Sequence, residues 1–242
     1  MSHFPLLASY GAASFVVDGA DFDGTNDYML RGAGLTGAAD SATGSLVVWL
    51  RIDGGDNTTR RFFNAATTVV TGPRYSIASN NFFLITLFNT SGSTVYQMRS
   101  SGTYLAGSGW KCFLSSWDRS SNDLSHLYEA DTNVKVETVD TGTSTIDYTF
   151  SNWAIGTSGT AGAEKWNGAI AELYFAPGQY IDFSVEVNRR KFIDADGKPV
   201  NLGTNGSRPT GTAPLVYMHL DNAEAVANFA VNAGSDAGTF TI

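Results

Sequence analysis

Along most of this chain, apolar residues recur at every second position. They fall in short runs rich in β-branched and aromatic side chains, bounded by Gly, Asn, Asp and Ser. That pattern predicts strands joined by turns. Residues 45–52 (SLVVWLRI) are an almost unbroken apolar run, hence a buried strand, and Asp53–Gly54–Gly55 is the turn behind it. Strands are expected at 61–70 and 74–79, with Gly72–Pro73 as punctuation between them. Residues 82–88 and 94–99 flank Asn89–Thr90–Ser91–Gly92 and predict a hairpin. Residues 110–117 put Trp110, Cys112 and Leu114 on one face before a turn at 118–123. A second hairpin is expected from 124–130 and 134–139, with further strands at 148–155, 169–176 and 215–220. So many short strands predict a sandwich or barrel.

One segment reads as a helix. Asp182–Phe183–Ser184 is a cap signal for residues 185–192, and the run Arg189–Arg190–Lys191 falls in the later turns, where the helix dipole favours it. That basic run reads as a solvated helix face. No internal repeat or linker divides the chain, so one domain is expected over 1–242. Its core is 15–195, and 196–242 is a loop-rich extension with a closing strand.

Composition sharpens the class. A chain of 242 residues can bury roughly 70% of its unfolded surface. Only 16% of residues are charged and 26 are glycine, which favours strands and turns over helices. The net charge of −8, without clustered Lys and Arg, argues against nucleic-acid binding. Cys112 is the only cysteine, so neither an intrachain disulfide nor a thiolate metal site is available. No apolar run approaches the ~18 residues of a membrane span. The opening MSHFPLLASYGAASF lacks the basic and apolar regions of a signal peptide, so synthesis in a reducing cytoplasm is expected.

Ordered motifs then carry a resemblance. Residues 22–28 (FDGTNDY) and the strand SLVVWLRI are followed by Gly109–Trp110, Trp117–Asp118 and 127–130 (LYEA). Next come 153–156 (WAIG), 166–173 (WNGAIAEL) and the helix after Asp182–Phe183–Ser184. Over about 15–195 this order resembles laminin-G-like domains of the concanavalin A-like lectin/glucanase superfamily. The resemblance implies an all-β fold, a two-sheet antiparallel jelly-roll sandwich with one short helix near the C-terminal third. The segment NRRKFIDADGKPVNLGTNGSRPTGTAPLVYMHL is similar to extensions of such domains in tailed-bacteriophage structural proteins.

Glucanases of this superfamily place two glutamates four residues apart on one strand, as nucleophile and acid/base. Glu129, Glu137, Glu164, Glu172, Glu186 and Glu224 contain no such pair, so enzymatic activity is not expected. His126 adjoins Ser125, but neighbours on a strand face opposite ways, so a hydrogen-bonded histidine is the better reading. The string Gly156–Thr157–Ser158–Gly159–Thr160–Ala161–Gly162 precedes a strand, which does not make a phosphate cradle. Many laminin-G-like domains bind calcium, and this chain offers Asp18, Asp21, Asp23 and Asp27, Asp53 and Asp56, or Asp118 and Asp123. None has a fixed ligand spacing, and Asp23 and Asp27 read as turn residues bonding their own backbone.

Sugar recognition needs an aromatic platform with Asp and Asn beside it. Trp166 and Asn167 next to the 156–162 loop, with Asp118, Asn122 and Asp123 beside Arg119 at another turn, are the candidates. The alternative is that all five tryptophans fill the core; it is the expectation for Trp49, Trp110, Trp117 and Trp153, and both readings stand open for Trp166.

The first expectation is a non-enzymatic virion structural protein of a tailed bacteriophage, decorating the capsid or associated with the tail or a fibre. No cofactor is expected, with calcium the one candidate. The partners would be other virion proteins, further copies of the chain in a homo-oligomer (a trimer on family style) and a host-surface glycan, without nucleic acid or membrane insertion. The alternative is a carbohydrate-binding lectin or adhesin module. A glycoside hydrolase with a non-standard site comes last.

Overall fold

The computed structural model describes residues 3–10, 13–66, 71–120, 124–159, 162–221, 226–236 and 238–242. Its strands are β1 (His3–Tyr10), β2 (Ala13–Asp23), β3 (Met29–Leu30), β4 (Thr43–Ile52), β5 (Arg60–Ala66), β6 (Thr71–Ile77), β7 (Phe82–Phe88) and β8 (Thr94–Thr103). They continue with β9 (Trp110–Asp118), β10 (His126–Glu129), β11 (Thr132–Asn133), β12 (Lys135–Asp140), β13 (Trp153–Ile155), β14 (Asn167–Pro177), β15 (Val216–Met218) and β16 (Leu220–Asp221). A single helical turn, α1, covers Glu186–Arg189, and a 3-10 turn covers Val226–Ala230.

The strands pair antiparallel into two stacked sheets. One runs β1-β2-β14-β4-β9-β10-β11, with β15 beside β14 and β16 beside β2. The other runs β12-β8-β7-β6-β5-β13-β3. This is the expected jelly-roll sandwich. Rings from facing sheets lock the layers together. Phe83 of β7 stacks on Phe113 of β9 at 4.1 Å, and Phe63 of β5 meets Phe175 of β14 edge-on at 5.2 Å.

The central strands of the nine-stranded sheet are buried on both faces. Leu46, Val48, Leu50 and Ile52 of β4 point between the sheets, whereas Val47 and Trp49 point outward. There they pack with Leu114 and Tyr174 beneath Ile181, Phe183, Phe192, Ile193 and Leu202. A sheet covered twice reads as a continuous apolar run, which explains SLVVWLRI. Among the described residues no comparable apolar layer covers the outer face of the seven-stranded sheet. That face is the open one.

Several expected elements differ. The hairpin from 124–130 and 134–139 does not form: β10 pairs with the two-residue β11, while β12 joins the other sheet beside β8. Ala130, at φ +50, reverses the chain, and Val134 carries it across, bonding to Leu127 on one side and Ser101 on the other. The strand at 148–155 shrinks to β13, because Asp147 caps the N–H and hydroxyl of Thr149 in a local turn. Gly72 and Pro73 lie inside β6, at an irregularity in its pairing with β5 where proline is tolerated.

The helix expected over 185–192 is a single turn without a side-chain cap, since Asp182 bonds Ser184 instead. The basic run is not simply solvated. Arg189 is buried, bonded to Asp131 at 2.9 Å and lying over the Tyr128 ring, and Arg190 pairs with the same carboxylate. Strands β1 to β3 were not anticipated. No helix is long and apolar enough to cross a membrane.

Candidate functional site

Strand register lays out a grid of side chains on the open face. Across β5, β6, β7 and β8, Arg61 sits opposite Ser76, Ser76 opposite Leu84, and Leu84 opposite Arg99. Two residues along, Arg74 sits opposite Thr86, and Thr86 opposite Gln97. With strands about 4.8 Å apart, these side chains stand side by side. All of them but Arg99 floor a groove of about 270 Å³ that Phe88 and Glu164 also line.

At the sandwich rim lies a wider cleft of about 480 Å³, lined by Gly24, Gly55, Thr58, Thr59, Glu164, Lys165 and Asn167. The groove and the cleft share Thr59 and Glu164, so they form one depression running from the rim onto the sheet.

Local chemistry shapes the rim. The Asp23 carboxylate accepts the backbone N–H groups of Thr25 and Asn26 at 2.7 and 3.0 Å. These bonds, Thr25's above all, hold its carboxyl below the usual carboxylate range. The Asn167 side chain fills the space between two turns. A Cβ at Gly24 would lie 2.8 Å from the Asn167 Cβ, and one at Gly54 would lie 2.5 Å from its Nδ2. Both glycines are therefore needed to seat Asn167. Arg60 braces the second turn by donating to the Gly54 carbonyl, Asp56 and Asn81. The Lys165 ammonium sits 3.9 Å above the Tyr28 ring.

Charge in the depression is unevenly matched. Arg61 Nε meets Glu164 Oε2 at 2.5 Å, and the Arg61 N–H donates to the Glu164 carbonyl at 2.9 Å. Glu164 is held at φ +50, a backbone conformation that L residues rarely adopt. Among the described residues Arg74 has no such partner, and it lies over the Phe88 ring at 5.0 Å. Burial pushes both guanidiniums below their ordinary pKa, and the charge of Arg61 adds to the effect on Arg74. Both remain cationic at neutral pH.

The residues expected from sequence separate. Asn167 lines the cleft. Trp166 does not: its ring is fully buried and meets Phe62 edge-on at 5.8 Å, so it cannot serve as a sugar platform. Strand alternation sends adjacent residues to opposite sides, and the core takes the larger. Of the other four tryptophans only Trp110 is half-buried, stacked against Arg51. Asp118 lies at the far end of β4, opposite Thr43, whereas Gly168, next to Asn167, lies opposite Ile52. Nine residues of strand separate the two ends, roughly 30 Å. Asp118 caps Ser120, and Arg119 is buried against Asp140. Asn122 and Asp123 lie outside the described residues.

The acidic candidates are engaged elsewhere. Asp21 and Asp53 both bind Arg51, and Asp56 binds Arg60 and the Ala106 N–H. Among the described residues no three His, Cys, Asp or Glu side chains converge in a way that would hold a metal. His126 Nε2 lies 2.8 Å from the Tyr180 hydroxyl and 3.2 Å from Asp182. Burial lowers its pKa, with Asp182 opposing. Ser184 donates to Asp182 and not to the imidazole, so no nucleophile is activated.

Arg74, Ser76, Thr86 and Gln97 were missed as site residues. Their signal is a polar residue at every second position inside apolar strands. It shows that a face is open but not which residues meet on it.

By sequence, no protein family and no curated protein matches the chain. In three dimensions it resembles a protein from Bacteroides ovatus named as a candidate carbohydrate-binding protein, with a TM-score of 0.54 at 11% identity. That match covers 92% of this chain and 57% of the other, so the chain spans little more than half of its neighbour's length. The heptameric SAP-like pentraxin of Limulus polyphemus is matched over 92% of this chain and 93% of its own, with a TM-score of 0.48 at 12% identity. The LG1-3 region of the laminin alpha2 chain is matched over 64% of this chain and 30% of its own, with a TM-score of 0.46 at 13% identity. At 11% identity the likeness to the Bacteroides ovatus protein speaks to the fold alone.

Proposed function

We propose that this chain is a non-catalytic carbohydrate-binding module, and that the depression on the seven-stranded sheet is where the glycan sits. One observation carries the reading: the outer face of the seven-stranded sheet, which no apolar layer covers among the described residues, bears a groove where hydroxyl and amide groups alternate with apolar ones. Ser76, Thr86 and Gln97 offer donors and acceptors for sugar hydroxyls, and Leu84 offers apolar contact for the ring's C–H face. Gln97 Nε2 is already oriented by Thr86 Oγ1 at 3.0 Å.

Hydrolysis is disfavoured by the same inventory. Two carboxylates must flank a scissile glycosidic bond. Among the described residues lining the depression, Glu164 is the only one, and Arg61 holds it.

The virion setting expected from the segment that begins at Asn188 takes second place. Those residues have work inside this molecule: Leu202 covers the nine-stranded sheet, β15 extends it, and Asp236 anchors Arg31. Their character therefore has a reason independent of any particle.

The test is a glycan array probed with the full chain, followed by titration calorimetry on the best binder with wild type and Gln97→Ala. Saturable binding weakened about 3- to 10-fold by Gln97→Ala, the worth of one neutral hydrogen bond, is expected. Binding to no glycan, or binding indifferent to every groove substitution, overturns the reading.

A further inference from the structure

We propose that the glycan carries an anionic oxygen group, a uronate carboxylate or a sulfate ester, and that Arg74 is its counter-ion. This rests on the glycan reading above and narrows its substrate class.

The argument begins with what Arg74 lacks. Among the described residues no carboxylate lies within ion-pair distance of its guanidinium, and its Nε is buried without any hydrogen-bond partner. Its guanidinium lies over the Phe88 ring, and Glu164, which is ion-paired to Arg61, reaches it only as a more distant charge. A ring face satisfies the plane of a guanidinium but not its N–H groups, which point outward in that plane. A part-buried cation left this way destabilises the fold unless an anion arrives.

The neighbours set the sign of charge that Arg74 favours. Arg61 is one strand away and is neutralised by Glu164 at 2.5 Å. The groove therefore holds two guanidiniums against one carboxylate, an excess of one positive charge in a chain whose net charge is −8. A local field opposite in sign to the molecule selects for an anion at this point. The planar guanidinium fork matches carboxylate and sulfate oxygens, two at a time. Thr86 and Gln97, adjacent in the same row of the grid, would take the hydroxyls of the sugar bearing the charge.

Titration calorimetry decides it, using the full chain as wild type, Arg74→Gln and Arg74→Lys, with Arg208→Gln as a remote basic control. The probes are oligogalacturonate, its fully methyl-esterified form, a sulfated oligosaccharide and a neutral oligosaccharide of the same length. Uronate or sulfate binding is expected to fall about 10- to 100-fold in Arg74→Gln, the factor carried by one charge-assisted hydrogen bond. Arg74→Lys should recover part of it, Arg208→Gln should change nothing, and added salt should weaken it. Whichever acidic probe binds identifies the group. The thermal midpoint of Arg74→Gln should equal or exceed that of wild type, because an unpaired charge has been removed. Equal binding of the ester and the acid, or acid binding unchanged in Arg74→Gln, overturns this inference and leaves the glycan reading in place. Binding of no probe, with a blank glycan array, overturns both.

Discussion

Asp236 offers the sharpest test of how the molecule is closed. Its carboxylate is fully buried, 2.7 Å from Arg31 Nη2, and it also accepts the Thr36 N–H at 2.9 Å. Arg31 is itself only 7% exposed and lies directly beneath the backbone at Gly238. The substitution Asp236→Ala leaves that guanidinium buried without its counter-charge and Thr36 without an acceptor. Removing one member of a buried pair costs about 3–5 kcal/mol, a large part of the 5–15 kcal/mol typical of a whole domain. For a domain of this size about 2–4 °C is lost per kcal/mol, so the midpoint should fall by roughly 6–20 °C. Calorimetry and tryptophan fluorescence should report it together, since Trp117, Trp153 and Trp166 all lie between the sheets. The paired substitution Arg31→Met with Asp236→Leu removes both charges and should restore most of the loss. A drop below about 1 kcal/mol in the single variant, or no recovery in the double, would refute the reasoning.

Two further outcomes follow from the core and from one acid pair. Trp117 donates to the Tyr148 hydroxyl at 2.7 Å, whereas the buried Trp166 Nε1 has no acceptor among the described residues. Trp117→Phe should therefore cost about 1 kcal/mol more than Trp166→Phe in urea denaturation, and equal costs would contradict this account. Burial, then the charge of Asp147 and a hydrogen bond with it, raise the Asp40 carboxyl above its ordinary pKa. A raised folded-state pKa means that its stabilising contribution is fully present below the unfolded value and is lost as pH rises through the folded one. Asp40→Asn should thus raise the thermal midpoint at pH 7 by a small, solvent-screened amount, under about 1 kcal/mol. The gain should vanish near pH 3, and a gain independent of pH would exclude like-charge repulsion as its cause.

What was legible in the sequence was local. Apolar runs and alternation bounded by turn residues located β4, β7, β9 and β14 within a residue or two, because both are properties of the strand itself. The turn at Asn89 was legible for the same reason: its carboxamide bonds the N–H groups of Ser91 and Ser93 a few residues away. Asn167 was named as the polar neighbour of a candidate platform, Trp166, and it reaches the cleft although that platform does not.

The tertiary structure decided the rest. Whether Trp166 faces water or core depends on which sheet lies opposite, and that is set by pairing across more than 100 residues of chain, such as Gly168 with Ile52. The same long-range pairing sends 135–140 to the second sheet and places Asp118 at the end of the sandwich remote from Asn167. It also builds the groove. Arg61, Arg74, Thr86 and Gln97 come from four strands, and each is an ordinary outward-facing residue of its own strand. Register alone makes them neighbours, and register follows from burying the whole apolar face at once, which no single segment encodes.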